Sequence, residues 1–149
     1  MIKKGLLVIA AVIGCGFVLY VRNPAPIVPA IPADVLETSF GKPFVVKLHA
    51  QWCPVCMVTK DVWSEIEKAY SGRVHLVVLD FTSQARTDAS RIEAMRLGLG
   101  KVFEDYQGVT GAILVVDGRT RNVTADIGGD RELADYKAAI DGALMEATR

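Results

Sequence analysis

Ala50-Gln51-Trp52-Cys53-Pro54-Val55-Cys56 is the stretch that decides the fold. Immediately before it, residues 43–50 (PFVVKLHA) are rich in apolar and β-branched side chains, the content of a strand. Immediately after it, Val55, Val58, Val62, Ile66 and Ala69/Tyr70 recur at helical spacing, and Ser71-Gly72 ends the series. The two cysteines therefore stand where a strand hands over to one long helix. That position has a chemical consequence. Cys53 lies at the helix N-terminus, where unpaired backbone N–H groups and the helix dipole favour a thiolate. Pro54 suits the first helical position, since its missing N–H needs no partner there. Cys56, one turn on, can close a small disulfide ring or resolve a mixed disulfide. Cys53 is thus the expected nucleophile and Cys56 the resolving thiol, with Trp52, Pro54 and Val55 as neighbours.

Working outward, residues 34–40 can form a short helix that Gly41 stops. Residues 74–80 (VHLVVLD) read as a second strand, apolar on both faces as in a central strand. Residues 87–97 and 101–107 read as helices separated by Gly98 and Gly100, followed by strands over 112–117 and 121–127. Asp117-Gly118 between those strands is a hairpin signal rather than a carboxylate site. Asp130 can cap a last helix with Leu133, Tyr136/Lys137, Ile140 and Leu144 on one face. The order β-α-β-α-β-β-α describes an α/β sandwich, one sheet covered by helices. Trp63 and Tyr70 are expected to pack on the sheet, and His75 to be a surface or edge residue.

The W-C-x-x-C at a strand–helix junction, with β-α-β-β-α downstream, resembles the thioredoxin superfamily over residues 34–147. The resemblance implies a mixed central sheet flanked by helices. It also implies thiol:disulfide exchange with protein thiols and disulfides, with the Cys53–Cys56 disulfide as redox centre and no separate cofactor. Half of a zinc site is the main competing reading of a C-x-x-C, but no second such pair exists to complete one. A purely structural disulfide is the other, and so short a loop would constrain the unfolded chain little.

Three departures from that family stand out. Relatives often carry a buried Asp six residues before the first cysteine, where this chain has Lys47, and an acid before the Trp, where it has Gln51. Lys47 and His49 share one face of their strand. Either they form an electropositive wall that favours the thiolate, or Lys47 snorkels to the surface and His49 packs where relatives have an aromatic. Second, relatives have a cis-proline before the third core strand. Here the segment is Gly108-Val109-Thr110-Gly111, so Thr110 or Gly111 takes that place with a trans peptide and an altered substrate groove. Loss of that proline keeps open a module of another class, in which Cys53, Cys56 and His49 hold a soft metal ion, or the fold binds a protein without turnover. Third, Gly111 lies 31 positions after Asp80, more than thioredoxin uses, with a helical insert at about 82–107. Its Arg86, Arg91, Arg96 and Lys101 against Asp88, Glu93, Glu104 and Asp105 suggest a solvated, salt-bridged face or a surface that selects a partner.

The N-terminus divides the composition. The chain has 149 residues, 51% of them apolar, and 17 basic against 17 acidic side chains. Residues 1–22 hold Lys3, Lys4 and Arg22 and no acid, which leaves 14 bases against 17 acids beyond them. A weakly acidic domain without a basic stripe argues against nucleic-acid binding. Residues 5–21 are uncharged and would span about 25 Å as a helix, the lower limit of a bilayer core. An uncleaved transmembrane anchor, a cleaved signal ending near Val28-Pro29-Ala30, and a lipoprotein signal at Cys15 are the competing readings. The unbroken apolar run after Cys15 favours the anchor, and the lysines keep its start cytoplasmic. All three place the rest of the chain on the periplasmic or other extracytoplasmic side. Residues 23–33, with prolines at 24, 26, 29 and 32, form a semi-rigid tether to a domain over 34–149. A membrane protein that carries electrons outward is an expected partner for a tethered reductant.

Overall fold

Residues 44–48 are apolar on both faces except at Lys47, and such a strand needs a layer on each side. In a computed structural model of the chain, which describes residues 41–129 and 131–149, it has both. Strand β1 (Phe44–His49) pairs in parallel with β2 (His75–Asp80) and antiparallel with β3 (Ala112–Val116). Strand β4 (Val123–Gly128) adds antiparallel to β3, giving a mixed sheet of order β2-β1-β3-β4. Phe44, Val46 and Leu48 point to one face with Val77, Leu79, Leu114 and Val116. Val45 points to the other with Ile113 and Val115.

Each face has its helical layer. Helices α1 (Pro54–Val58) and α2 (Lys60–Tyr70) follow β1, and Trp63, Ile66 and Tyr70 of α2 bury against the Val45 face as expected. Helix α5 (Leu133–Ala147) joins that layer through Tyr136 and Ile140. Helices α3 (Gln84–Arg96) and α4 (Gly100–Tyr106) cover the opposite face with Ala94, Val102 and Phe103. The lengthened middle of the chain is therefore one whole layer of the sandwich. Its outer side carries the expected ion pairs, among them Arg91–Asp88 at 3.5 Å, Arg96–Glu93 at 2.6 Å and Lys101–Asp105 at 2.8 Å.

Four expectations change. The helix after Pro54 is broken at Thr59, because its hydroxyl donates to Val55 O (3.0 Å) and Cys56 O (3.3 Å) and turns the backbone. Strand β2 is an edge strand among the described residues, not a central one, and Val78 is half exposed on it. Helix α3 starts at Gln84 rather than 87, because the Ser83 hydroxyl accepts from the Arg86 N–H and caps it there. Glu132 takes the N-cap of α5, with the Asp135 carboxylate accepting its N–H at 3.3 Å. Asp130, the expected cap, lies outside the described residues, as do the anchor, the tether and the short helix expected over 1–40. Among the described residues no helix is long and apolar enough to cross a membrane.

Other expectations hold. Asp117 Oδ1 accepts from the N–H groups of Arg119 (2.9 Å) and Thr120 (2.6 Å), closing the β3–β4 hairpin. His75 opens the edge strand with its ring 4.7 Å from that of Phe44. Ile140 has no exposed surface, so Ile140→Ala should cost about 2–5 kcal/mol in urea unfolding. Met145, exposed on the same helix, should tolerate Ala within about 0.5 kcal/mol.

Candidate active site

At the end of β1 the chain turns sharply, with the Cys53 N–H donating to Ala50 O at 3.2 Å. Cys53 is then the N-cap of α1, in extended backbone geometry (φ −86°, ψ 114°), and Pro54 enters the first turn. The Cys53 sulfur accepts the Cys56 N–H at 3.2 Å, which is what a capping side chain does. Cys56, on the inner side of α1, reaches Leu48 O at 3.6 Å. Both thiols are nearly buried, and with Ala50 they form a small cluster at the top of the sheet.

Their surroundings pull the two thiols apart. Burial works to raise Cys53. Hydrogen bonds from the Cys56 and Thr110 side chains and from the N–H groups of Cys56 and Val55 overcome it and hold Cys53 below the ordinary thiol value. For Cys56, burial, the hydrogen bond to the Cys53 sulfur and the charge on that sulfur all push upward. The N–H groups of Ala50 and Gly111 offset this only in part. One thiol is thus readied as a nucleophile and the other keeps its proton.

Thr110 and Gly111, expected to occupy the position opposite the cysteines, are found there. No cis peptide occurs among the described residues. Gly111 has φ +85°, and its N–H donates to Leu48 O at 2.9 Å. A Cβ at Gly111 would lie 2.9 Å from Val55 Cβ and 3.5 Å from the Cys53 sulfur, so the approach needs glycine. Sequence reasoning missed Gly129. A Cβ there would strike Val55 Cγ1 and lie 2.7 Å from both Gly111 O and Thr59 Cγ2. Only the fold brings residue 129 beside 111, and no local pattern announces it.

Trp52 is 62% exposed but fixed, since its indole N–H donates to Thr82 O (3.3 Å) and the Gln51 N–H donates to Thr82 Oγ1 (2.9 Å). Thr82, the first residue of the lengthened segment, thus touches the cysteine loop. With Trp52, the side chains of Val55, Met57, Val58 and Val109 are exposed around the same end of the molecule. Lys47 does not snorkel. It is buried at 8% exposure, with its ammonium 5.5 Å from the centre of the Trp63 ring, and burial pulls that ammonium below its ordinary value. His49 pairs in register with Asp80, and its buried Nδ1 has no partner. Among the described residues no third His, Cys, Asp or Glu joins the two thiols, so a soft metal would find two ligands there.

A two-thiol centre at a helix N-terminus, on a mixed sheet between two helical layers, defines a thiol–disulfide exchange protein. The Thioredoxin family pattern matches residues 34–109, just over half of the chain. The chain belongs to the thioredoxin family, and with its cysteine pair it is a thiol–disulfide oxidoreductase. Among curated protein sequences none matches. Among solved structures, one similar fold is a thiol:disulfide interchange protein of the thioredoxin family from Chlorobium tepidum TLS. It is 24% identical, with 72% of this chain and 83% of that one covered at a TM-score of 0.51. Another is Trxlp from Edwardsiella tarda EIB202, 12% identical over 75% of this chain and 95% of that one, TM-score 0.49.

The unequal thiols are measurable. Alkylation of Cys53 by iodoacetamide should rise with pH through an inflection below that of free cysteine, while Cys56 reacts only at higher pH. Thr110→Val removes a donor to the thiolate, so the Cys53 inflection should move up in the same pH–rate profile.

Proposed function

We propose that this protein exchanges disulfides with extracytoplasmic protein partners while tethered to a membrane by residues 1–22 through the proline-rich segment 23–33. The domain over 34–149 then works close to the bilayer, with Cys53 as nucleophile and Cys56 as resolving thiol. The observation that carries the exchange chemistry is the Cys53 sulfur at the N-cap of α1, accepting the Cys56 N–H at 3.2 Å under an exposed apolar rim.

The steps follow from that geometry. The Cys53 thiolate attacks a partner disulfide, forms a mixed disulfide and releases one partner sulfur as thiolate. Cys56 then loses its proton and attacks the Cys53 sulfur, forming the Cys53–Cys56 disulfide and releasing the second partner thiol. Run backwards, the same steps oxidise a partner dithiol. Trp52, Val55, Val58 and Val109 offer apolar contact to the polypeptide on either side of the partner cysteine. The tether is supported by the uncharged run over residues 5–21 behind Lys3 and Lys4, and it would raise the local concentration of a membrane-bound electron carrier.

Two measurements test this. Cys53→Ser should lower insulin reduction at least about 100-fold, the range expected when an essential nucleophile is removed. Cys56→Ser should accumulate mixed disulfides through Cys53; recovery of none from cells would count decisively against exchange with proteins. For the location, a membrane-impermeant maleimide should label Cys53 in intact spheroplasts, and labelling only after lysis would refute the extracytoplasmic placement.

A further inference from the structure

Thr82 holds the cysteine loop, and what holds Thr82 is a carboxylate that sulfur exchange leaves without a task. Thr82 lies between the end of β2 and the Ser83 cap of α3, outside both elements. Its N–H donates to Asp80 Oδ1 at 2.8 Å. Asp80 is in turn fixed by α3. The Ser90 hydroxyl accepts the Asp80 N–H (2.8 Å) and donates to the Asp80 carbonyl (3.3 Å), while the Arg86 guanidinium meets Oδ2 at 3.2 Å. On the strand side Asp80 stands in register with His49, and the Phe81 N–H donates to His49 O at 2.7 Å. Burial works to raise the Asp80 carboxyl. Hydrogen bonds from Thr82 and the charge of Arg86 overcome it and hold the group below the usual carboxylate value, so it is an ionised acceptor at neutral pH.

We propose that Asp80 positions the partner-binding rim: by holding Thr82 it fixes Gln51 and Trp52 in the pose onto which a partner polypeptide docks. This deepens the exchange reading and rests on it. A continuous hydrogen-bonded path runs from Ser90 and Arg86 of α3 through Asp80 to Thr82. From Thr82 it reaches the Gln51 N–H and the Trp52 indole, next to Cys53. Trp52 is exposed, and an exposed side chain that is free to turn loses rotamer entropy when a partner covers it. With Thr82 held, the loop and the indole are in place before the partner arrives, and that cost no longer weakens binding. Release Thr82, and the ordering must happen during docking. A polypeptide lying across Trp52 feels this difference. A disulfide too small to reach the rim does not, because it meets only the sulfurs. Asp80 touches no reacting atom in this scheme; it acts through Thr82 and is a positioning residue.

The test gives the full chain two substrates, with dithiothreitol as recycling reductant: insulin, whose chains can cover the rim, and hydroxyethyl disulfide, which reaches only the thiols. Asp80→Ala should raise KM for insulin about fivefold, the worth of about one hydrogen bond, with kcat within about twofold of native. Its rate with hydroxyethyl disulfide should stay at the native value. Asp80→Asn should keep KM for insulin within about twofold of native, because its amide oxygen still accepts the Thr82 N–H. Equal slowing with both disulfides would place the effect in the thiols and overturn the inference. An unchanged insulin KM in Asp80→Ala, or an Asn variant as impaired as Ala, overturns it too. If Asp80→Ala fails to fold, Thr82→Val puts a methyl in place of the hydroxyl that accepts the Gln51 N–H and is read in the same way. A native chain that reduces neither disulfide overturns the exchange reading itself, which separates the two failures.

Discussion

One carbonyl, that of Leu48, ties the molecule together at its working end. It accepts the Gly111 N–H that leads into β3, and the Cys56 thiol reaches the same oxygen from α1. Strand β1 can hold that oxygen in place because Phe44, Val46 and Leu48 are sealed by one helical layer and Val45 by the other. Shift β1, and the positive-φ turn at Gly111 loses the hydrogen bond that holds it against Val55. The chemistry thus inherits its geometry from a core that contains no catalytic atom.

The two cysteines are the same residue type three positions apart, so their different behaviour must come from what surrounds each sulfur. Cys53 caps a helix start and collects donors, which favour an anion. Cys56 faces inward, where a neutral thiol costs less than a charge. A disulfide-exchange centre needs this inequality, because a pair that ionised together would repel itself and have no preferred point of attack.

The strand-to-helix handover, the order of elements and the hairpin at Asp117-Gly118 were legible in the sequence because each rests on local pattern, and the opposition of Thr110-Gly111 to the cysteines was legible only through the resemblance to the thioredoxin family. Other features depend on contacts that local pattern does not carry. Apolar residues on both faces of β2 suggested a central strand, yet the pattern reports burial and not neighbours, and Val78 stays half exposed at the edge. Thr59 fits a helical series by spacing, but its hydroxyl competes for the carbonyls of Val55 and Cys56 and breaks the helix. Whether Lys47 snorkels or stays buried depends on Trp63, on the helix packed over it. The charges along 82–107 were readable, but they describe only the wet side of a segment whose other side packs into the core through Ala94, Leu99, Val102 and Phe103.

That last point bears on how the site meets a partner. A lengthened segment could have been a loose arm over the cysteines, but here it is a packed layer whose first residue bonds the cysteine loop. Trp52 is therefore exposed and immobilised together, held through its indole N–H by Thr82. On the other side of Cys53, Gly111 and Gly129 let backbone close in on Val55 and leave that side chain little room to move. An apolar rim that is already ordered loses little rotamer freedom when a polypeptide lies across it, so more of its contact area is available to hold the partner while sulfur exchange takes place.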